Sequence, residues 1–207
     1  MNYINKTRFF ALFFTLILLF TLILSYSLST GKDISNAVVR LHIIANSNSE
    51  SDQAMKLKVR DRITKDTAHL FKNITDSHEA LAVAEKNAEY IRQSALSELK
   101  NLGCDLPVKV SIGEDMFPTK FYGDVSLPAG RYNAVRIEIG EAVGENWWCV
   151  MYPPLCFTDG TIALSEDAKT KLKSTLTETE YELVTKNGKS VPVEIRFRLV
   201  EMFQKLF

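Results

Sequence analysis

The chain has 207 residues, of which 46% are hydrophobic and 24% charged, and its 25 Lys+Arg balance its 25 Asp+Glu. This length and composition fit one folded domain, and the missing basic excess excludes a protein built to hold nucleic acid. The chain begins with Lys6 and Arg8, followed by the run FFALFFTLILLFTLIL from Phe9 to Leu24. At about 1.5 Å per residue this run covers roughly 24 Å as a helix. Extended to Leu28 it covers about 30 Å, the core of a bilayer. Residues 1–29 are therefore expected to be either a secretory signal, cut near Ser25-Tyr26-Ser27, or an uncut N-terminal membrane anchor. In both cases the basic residues stay in the cytoplasm and residues 30–207 are exported. Residues 1–27 carry Lys6 and Arg8 and no acid, which leaves 23 basic and 25 acidic residues, a net charge of −2. The exported part thus has no charge excess with which to hold an anionic membrane, and its compartment permits disulfides.

Thr30 to Asn36 is small and polar and reads as a linker. The β-branched residues after it predict a strand from Val38 to Ala45, with Arg40 and His42 on one face and Val39, Leu41 and Ile43 on the other. ANSNSESDQ reads as a turn and helix start, capped by Ser49 or Ser51, with Glu50 and Asp52 in the first turn. Met55, Val59, Ile63 and Leu70 predict an amphipathic helix over Asp52–Phe71. Leu81, Ala84, Ala88, Ile91, Ala95 and Leu99 predict a second over Ser77–Lys100, stopped at Gly103. The period then changes to two. Val108, Val110 and Ile112 alternate, as do Val135, Ile137 and Ile139, around a turn at Leu127–Gly130; these read as antiparallel strands with one wet face. Trp147 to Tyr152 is a further strand or a short buried turn. Ser165 to Leu176 is polar and helical or disordered. A hairpin is expected around Asn187-Gly188, although Ile195, Leu199, Met202, Phe203 and Leu206 also fit a helix. The expected fold is α+β: an N-terminal membrane or signal helix, then a two-layer domain of antiparallel strands packed by two long amphipathic helices.

The chain carries no phosphate-binding glycine loop, nucleophile elbow, zincin motif or C-x-x-C, and no dinucleotide fingerprint. His42, His69 and His78 are scattered, and three cysteines with three histidines show no metal-ligand spacing. No catalytic, cofactor or metal residue is assigned, and no small-molecule substrate is expected. The stretch NWWCVMYPPLCFTDG is different, because it holds both tryptophans and two of the three cysteines. The apolar neighbours of Cys149 and Cys156 would raise a thiol pKa, which argues against thiol catalysis. A bridge between them would close a loop of about eight residues, stabilising by about 2.5 kcal/mol on chain-entropy grounds and leaving Cys104 free. Trp147 and Trp148 have two readings: both are core aromatics, or, because neighbouring residues of a strand point to opposite faces, one is buried and the other exposed as a binding anchor.

The segments RLHIIANSNSESDQAMKLKVRD (Arg40–Asp61), FPTKFYGDVSLPAGRYNAVRIEIGEAVGENWWCVMYPPLCF (Phe117–Phe157) and the closing RLVEMFQKLF resemble the stage II sporulation protein R family of endospore-forming bacteria. The resemblance covers most of the exported part, is most specific in Phe117–Phe157, and carries little over Gly160–Lys189. It implies a protein made in the forespore and exported into the space between the two membranes that separate it from the mother cell. There it would trigger a membrane-embedded aspartic protease, which removes the pro-sequence of the early mother-cell sigma factor. It implies a signal rather than an enzyme, whose partners are that protease and, through the N-terminal segment, the membrane. It assigns no contact residues. From the residues themselves, Trp147, Trp148 and the Cys149–Cys156 loop are the first candidate contact surface, with Arg40 and His42 as a second patch. An exported thiol enzyme on Cys149 or Cys156 and a membrane-anchored structural component are the competing classes.

Overall fold

The computed structural model describes residues 3–155 and 166–185. α1 (Tyr3–Asn36) is one continuous helix. Its stretch from Phe9 to Tyr26 exposes large apolar side chains, is long and apolar enough to cross a membrane, and is not covered by the rest of the protein. This is compatible with either a signal sequence or an anchor. The linker expected at Thr30–Asn36 is corrected: these residues are the last turns of α1, and Ile34 is fully buried. An apolar residue that can be buried against β5 makes continuing the helix more favourable than leaving it as coil.

The core of the domain is a four-stranded sheet in the order β2-β5-β1-β6, built from β1 (Val39–Ile44), β2 (Val108–Phe117), β5 (Gly130–Ile139) and β6 (Asn146–Tyr152). β1 runs parallel to β5 and antiparallel to β6, and β2 runs antiparallel to β5. The sheet is therefore mixed, and the all-antiparallel expectation is corrected at β1–β5. The fold class itself, an apolar helix followed by an α+β domain, is as expected. All six residues of β1 are buried, because other elements cover both faces of the sheet at this strand.

The first face carries Leu41, Ile43, Val135, Ile137 and Ile139. α2 (Glu50–Thr67), α3 (Ser77–Lys86) and α4 (Ala88–Asn101) cover it with Val59, Ile63, Ala84, Ile91, Ala95 and Leu99. The Ser49 hydroxyl caps α2 by accepting the Asp52 N–H at 3.1 Å, and Asp76 caps α3 by accepting the Glu79 N–H at 2.8 Å. The expected second long helix is in fact α3 and α4, separated at Asn87. α4 ends in a Schellman motif: Cys104 N–H donates to Leu99 C=O at 2.9 Å and Gly103 N–H to Lys100 C=O at 3.0 Å. Gly103 has φ +72°, the left-handed conformation such an ending requires.

The other face is covered too, which a two-layer domain would leave wet. Its core contains Ile34 of α1, Val125 and Leu127 of the hairpin β3–β4 (Lys120–Tyr122, Val125–Leu127), Leu172 and Leu176 at α5 (Glu166–Thr175), and Val184 of α6 (Glu178–Val184). Tyr181–Val184 belongs to α6, so the first arm of the expected C-terminal hairpin is helical. Its second arm and the competing C-terminal helix lie outside the described residues.

One consequence concerns acid. Arg92, and after it Gln93, hold the exposed Glu89 carboxylate down at about 2 by hydrogen bonding. A carboxylate lowered in the folded state stabilises above its unfolded value, and this contribution is lost as pH falls through the folded value. The melting-temperature gap between wild type and Glu89→Gln is thus expected at pH 7 and should close as pH falls from about 4.5 towards 2. An equal gap at pH 7 and pH 2 would count against the pairing.

Candidate contact surface around the paired tryptophans

β6 reaches its position because two loops knit its start to the end of β1. Ala45 N–H donates to Glu145 C=O at 3.4 Å, Val143 N–H to Asn46 C=O at 3.3 Å and Gly144 N–H to Ala45 C=O at 3.0 Å. The Asn46 side-chain oxygen accepts the Glu141 N–H at 3.0 Å, and that of Asn48 accepts the Glu145 N–H at 2.7 Å. The asparagines of ANSNS therefore do more than turn the chain: they satisfy backbone donors nearly a hundred residues away. No local sequence signal marks this role.

Beyond that clasp, Trp147 and Trp148 point to opposite faces of the sheet, as adjacent strand residues must. Both are half-buried, which falls between the two readings, both core or one buried and one exposed. Trp147 packs on the helical side, with the Arg60 guanidinium 4.3 Å from its ring centroid. Its indole Nε1 is buried with no hydrogen-bond partner among the described residues. Trp148 packs on the other side, stacked on His42 at 3.8 Å and 24°, and edge-on to Phe117 at 4.8 Å.

Arg40 and His42 occupy that same second core. They are 0% and 3% exposed, so the surface patch expected from them is corrected. The alternation of β1 was read correctly; that a hairpin and helices cover the face was not visible in it. Hydrogen bonds at both ring nitrogens fix the His42 ring: Nδ1 lies 2.5 Å from Asp115 Oδ2 and Nε2 2.7 Å from Asn146 Oδ1. Arg136 approaches the other Asp115 oxygen at 3.6 Å. Because both nitrogens are engaged and the ring is shielded by Trp148 and Phe117, His42 serves as a packing and orienting group.

Arg40 sits in an aromatic cage, its guanidinium carbon 4.2 Å from the Phe117 centroid and 4.8 Å from that of Tyr132. Nη2 donates to the Tyr122 hydroxyl at 2.5 Å, and Nε makes a longer bond to Cys149 C=O at 3.4 Å. Nη1 has no partner. No carboxylate pairs with Arg40 among the described residues, which is unusual for a fully buried cation. Burial raises the Tyr122 and Tyr132 phenols well above their ordinary value, opposed by the Arg40 charge. Both tyrosines therefore stay neutral and act as hydrogen-bonding walls of the cage. Tyr132, Phe117, Asp115 and Asn146 were missed as site residues because each becomes a neighbour of β1 only through the long-range pairing of the sheet, and Tyr122 because the separate β3–β4 hairpin brings it there.

An open groove of ≈ 470 Å³ runs beside β6. Lys56 and Arg60 of α2 form one wall, Lys120, Phe121 and Tyr122 of β3 the other, and Trp147 and Trp148 lie between them. Lys56 is 4% exposed, and its ammonium donates to Gln53 Oε1 at 2.5 Å and Glu145 C=O at 2.9 Å. Burial lowers its pKa below the ordinary value, with Glu145 opposing and Arg60 adding to the shift. Cys149 is 3% exposed and Cys104 is a free thiol. The expected Cys149–Cys156 bridge involves Cys156, which lies outside the described residues. Among the described residues no cluster of three or more His, Cys, Asp or Glu could hold a metal.

Residues 35–162 match the family model of stage II sporulation protein R (spore_II_R). The chain is also 34% identical over 186 residues to the stage II sporulation protein R of Bacillus subtilis (strain 168), covering 84% of this chain and 83% of the relative. No solved structure matches. The matched span contains every strand of the sheet, both tryptophans and the groove.

Proposed function

Because the chain belongs to the stage II sporulation protein R family, a family of sporulation signalling proteins, we propose that it is exported from the forespore into the intermembrane space and there activates a membrane-embedded aspartic protease. Activation starts processing of the pro-form of the early mother-cell sigma factor. The observation that carries this reading is the family match across 35–162, the whole sheet and the tryptophan surface. An apolar N-terminal helix with no protein cover supplies the means of export, whether it is cut or kept as an anchor. The protein acts as a ligand, and its contact surface is the β6 groove with Trp147 and Trp148.

Producing the full chain with the protease and the sigma-factor precursor in a non-sporulating host tests this directly. Cleavage of the precursor should appear only when the chain is present; no cleavage with all three exported and folded would sink the reading. Trp147→Ala and Trp148→Ala, made separately, should include at least one folded, exported protein that no longer supports cleavage. Two folded and fully active variants would move the contact surface elsewhere. Mass spectrometry of the N-terminus separates cut signal from anchor.

We also propose that Cys149 and Cys156 are bridged. In support, Cys149 is buried, 3% exposed, and Cys104 is free. This weighs against the thiol-enzyme alternative, which needs an accessible thiolate. Titration of the unfolded, unreduced protein should find one thiol per chain, rising to three after reductant. Three thiols before reductant would remove the bridge.

A further inference from the structure

β6 is the outermost strand beside β1, and its register decides which backbone groups face outward. Ala45 bonds to Glu145 across the pair, and the same phase places residues 147 and 149 towards β1. The N–H and C=O of Asn146, Trp148 and Val150 therefore point away from the sheet. Leu155 N–H takes the Val150 C=O at 3.2 Å, and the Tyr122 hydroxyl takes that of Trp148 at 3.3 Å. Among the described residues no strand pairs with the remaining edge, both backbone groups of Asn146 and the N–H groups of Trp148 and Val150. An open edge of this kind is a template for an added strand.

The groove beside this edge has a definite chemistry. Its walls bring three cations, Lys56, Arg60 and Lys120, against one acid, Glu145. Arg60 also holds the neighbouring Asp61. Behind Tyr122 lies the Arg40 guanidinium, buried and without a carboxylate among the described residues. Phe121, 46% exposed, adds an apolar rim. The Trp147 indole N–H is a buried donor still lacking an acceptor among the described residues.

We propose that this edge takes an extended, acid-bearing segment of the partner protein, which adds as a strand beside Asn146–Trp148. Backbone pairing at Asn146 and Trp148 would fix its register, the two tryptophans would border it from opposite faces, and its carboxylates would meet the field of Lys56, Lys120 and Arg40. The occupant is an acidic strand rather than a neutral one because the groove carries excess positive charge and the buried Arg40 has no carboxylate partner among the described residues. The proposal rests on the signalling function proposed above and specifies how the receptor is held.

The test uses the full chain in membranes carrying the protease and the precursor. A photo-cross-linking residue replaces Lys120 at the groove or, as control, Lys58, which is exposed on α2 outside the groove. Position 120 is expected to cross-link to an Asp/Glu-containing extended segment of the protease, and position 58 is not. Lys120→Glu should lower precursor cleavage about tenfold or more, whereas Lys58→Glu stays within about twofold of wild type. A cross-link from position 120 to a second copy or within its own chain, or full cleavage with Lys120→Glu, overturns the proposal. The two ideas fail separately. A chain that cross-links to the protease at position 120 but starts no cleavage defeats activation alone, and normal cleavage without that cross-link defeats strand addition alone.

Discussion

Phe117→Ala is expected to destabilise the exported domain by about 3–5 kcal/mol, the range for removing a fully buried aromatic side chain. Phe117 is 2% exposed, at the end of β2. Its ring packs against four groups: the Arg40 guanidinium at 4.2 Å, Trp148 at 4.8 Å, Tyr132 at 5.6 Å and His42 at 5.9 Å. Truncation leaves a cavity and also strips a face from a buried cation that lacks a carboxylate partner, so the loss should lie at the upper end of the range. For a domain of this size about 2–4 °C of melting temperature follows each kcal/mol, which predicts a fall of about 10 °C or more by calorimetry. Phe117→Leu, which keeps most of the volume but not the ring quadrupole, should recover only part of it. If Phe117→Ala melts within about 2 °C of wild type, the aromatic cage is not a unit of stability.

The second large effect is expected at a residue with no side chain. A Cβ on Gly144 would lie 2.2 Å from the Ser47 carbonyl oxygen and 2.6 Å from its carbon, both backbone atoms. Neither can swing aside as a side chain could. The 45–48 loop would have to move, and the Gly144 N–H bond to Ala45 with it. Gly144→Ala should therefore cost about 2–4 kcal/mol, more than the few tenths expected of an ordinary surface substitution. The damage falls at the start of β6, so amide exchange should rise at Asn146–Trp148 before it rises in α4. On the proposed function the variant would also lose precursor cleavage at temperatures where it remains folded. Unchanged exchange protection in β6 would mean that the clasp does not position the tryptophans.

Much of this fold was legible locally. A cap at Ser49 or Ser51, the stop at Gly103, a strand over Val38–Ala45 and the alternation of Val108, Val110 and Ile112 follow from periodicity and termination chemistry, which act over a few residues, whereas Trp147–Tyr152 fitted a strand or a short buried turn. The errors have a common cause. Thr30–Asn36 looked like a linker because its polar composition hides Ile34, whose burial depends on β5 a hundred residues later. Tyr181–Val184 precedes the turn expected at Asn187-Gly188 and so read as a hairpin arm, but the capping box at Thr177 and Glu180 commits it to helix.

The candidate site divides in the same way. By itself the sequence determined that the chain starts with a membrane-length apolar helix, that an α+β domain follows, and that Trp147 and Trp148 face opposite sides of one strand, because hydropathy and side-chain period are properties of neighbouring residues. Only the tertiary structure decided that β1 lies inside the sheet, parallel to β5, so that Arg40 and His42 are core residues; that Asp115, Phe117, Tyr122 and Asn146 converge on them; and that β6 is left as an edge beside a cationic groove. Exposure of a strand residue depends on what covers its face, and strand order depends on pairings between distant segments, neither of which is written in the local pattern.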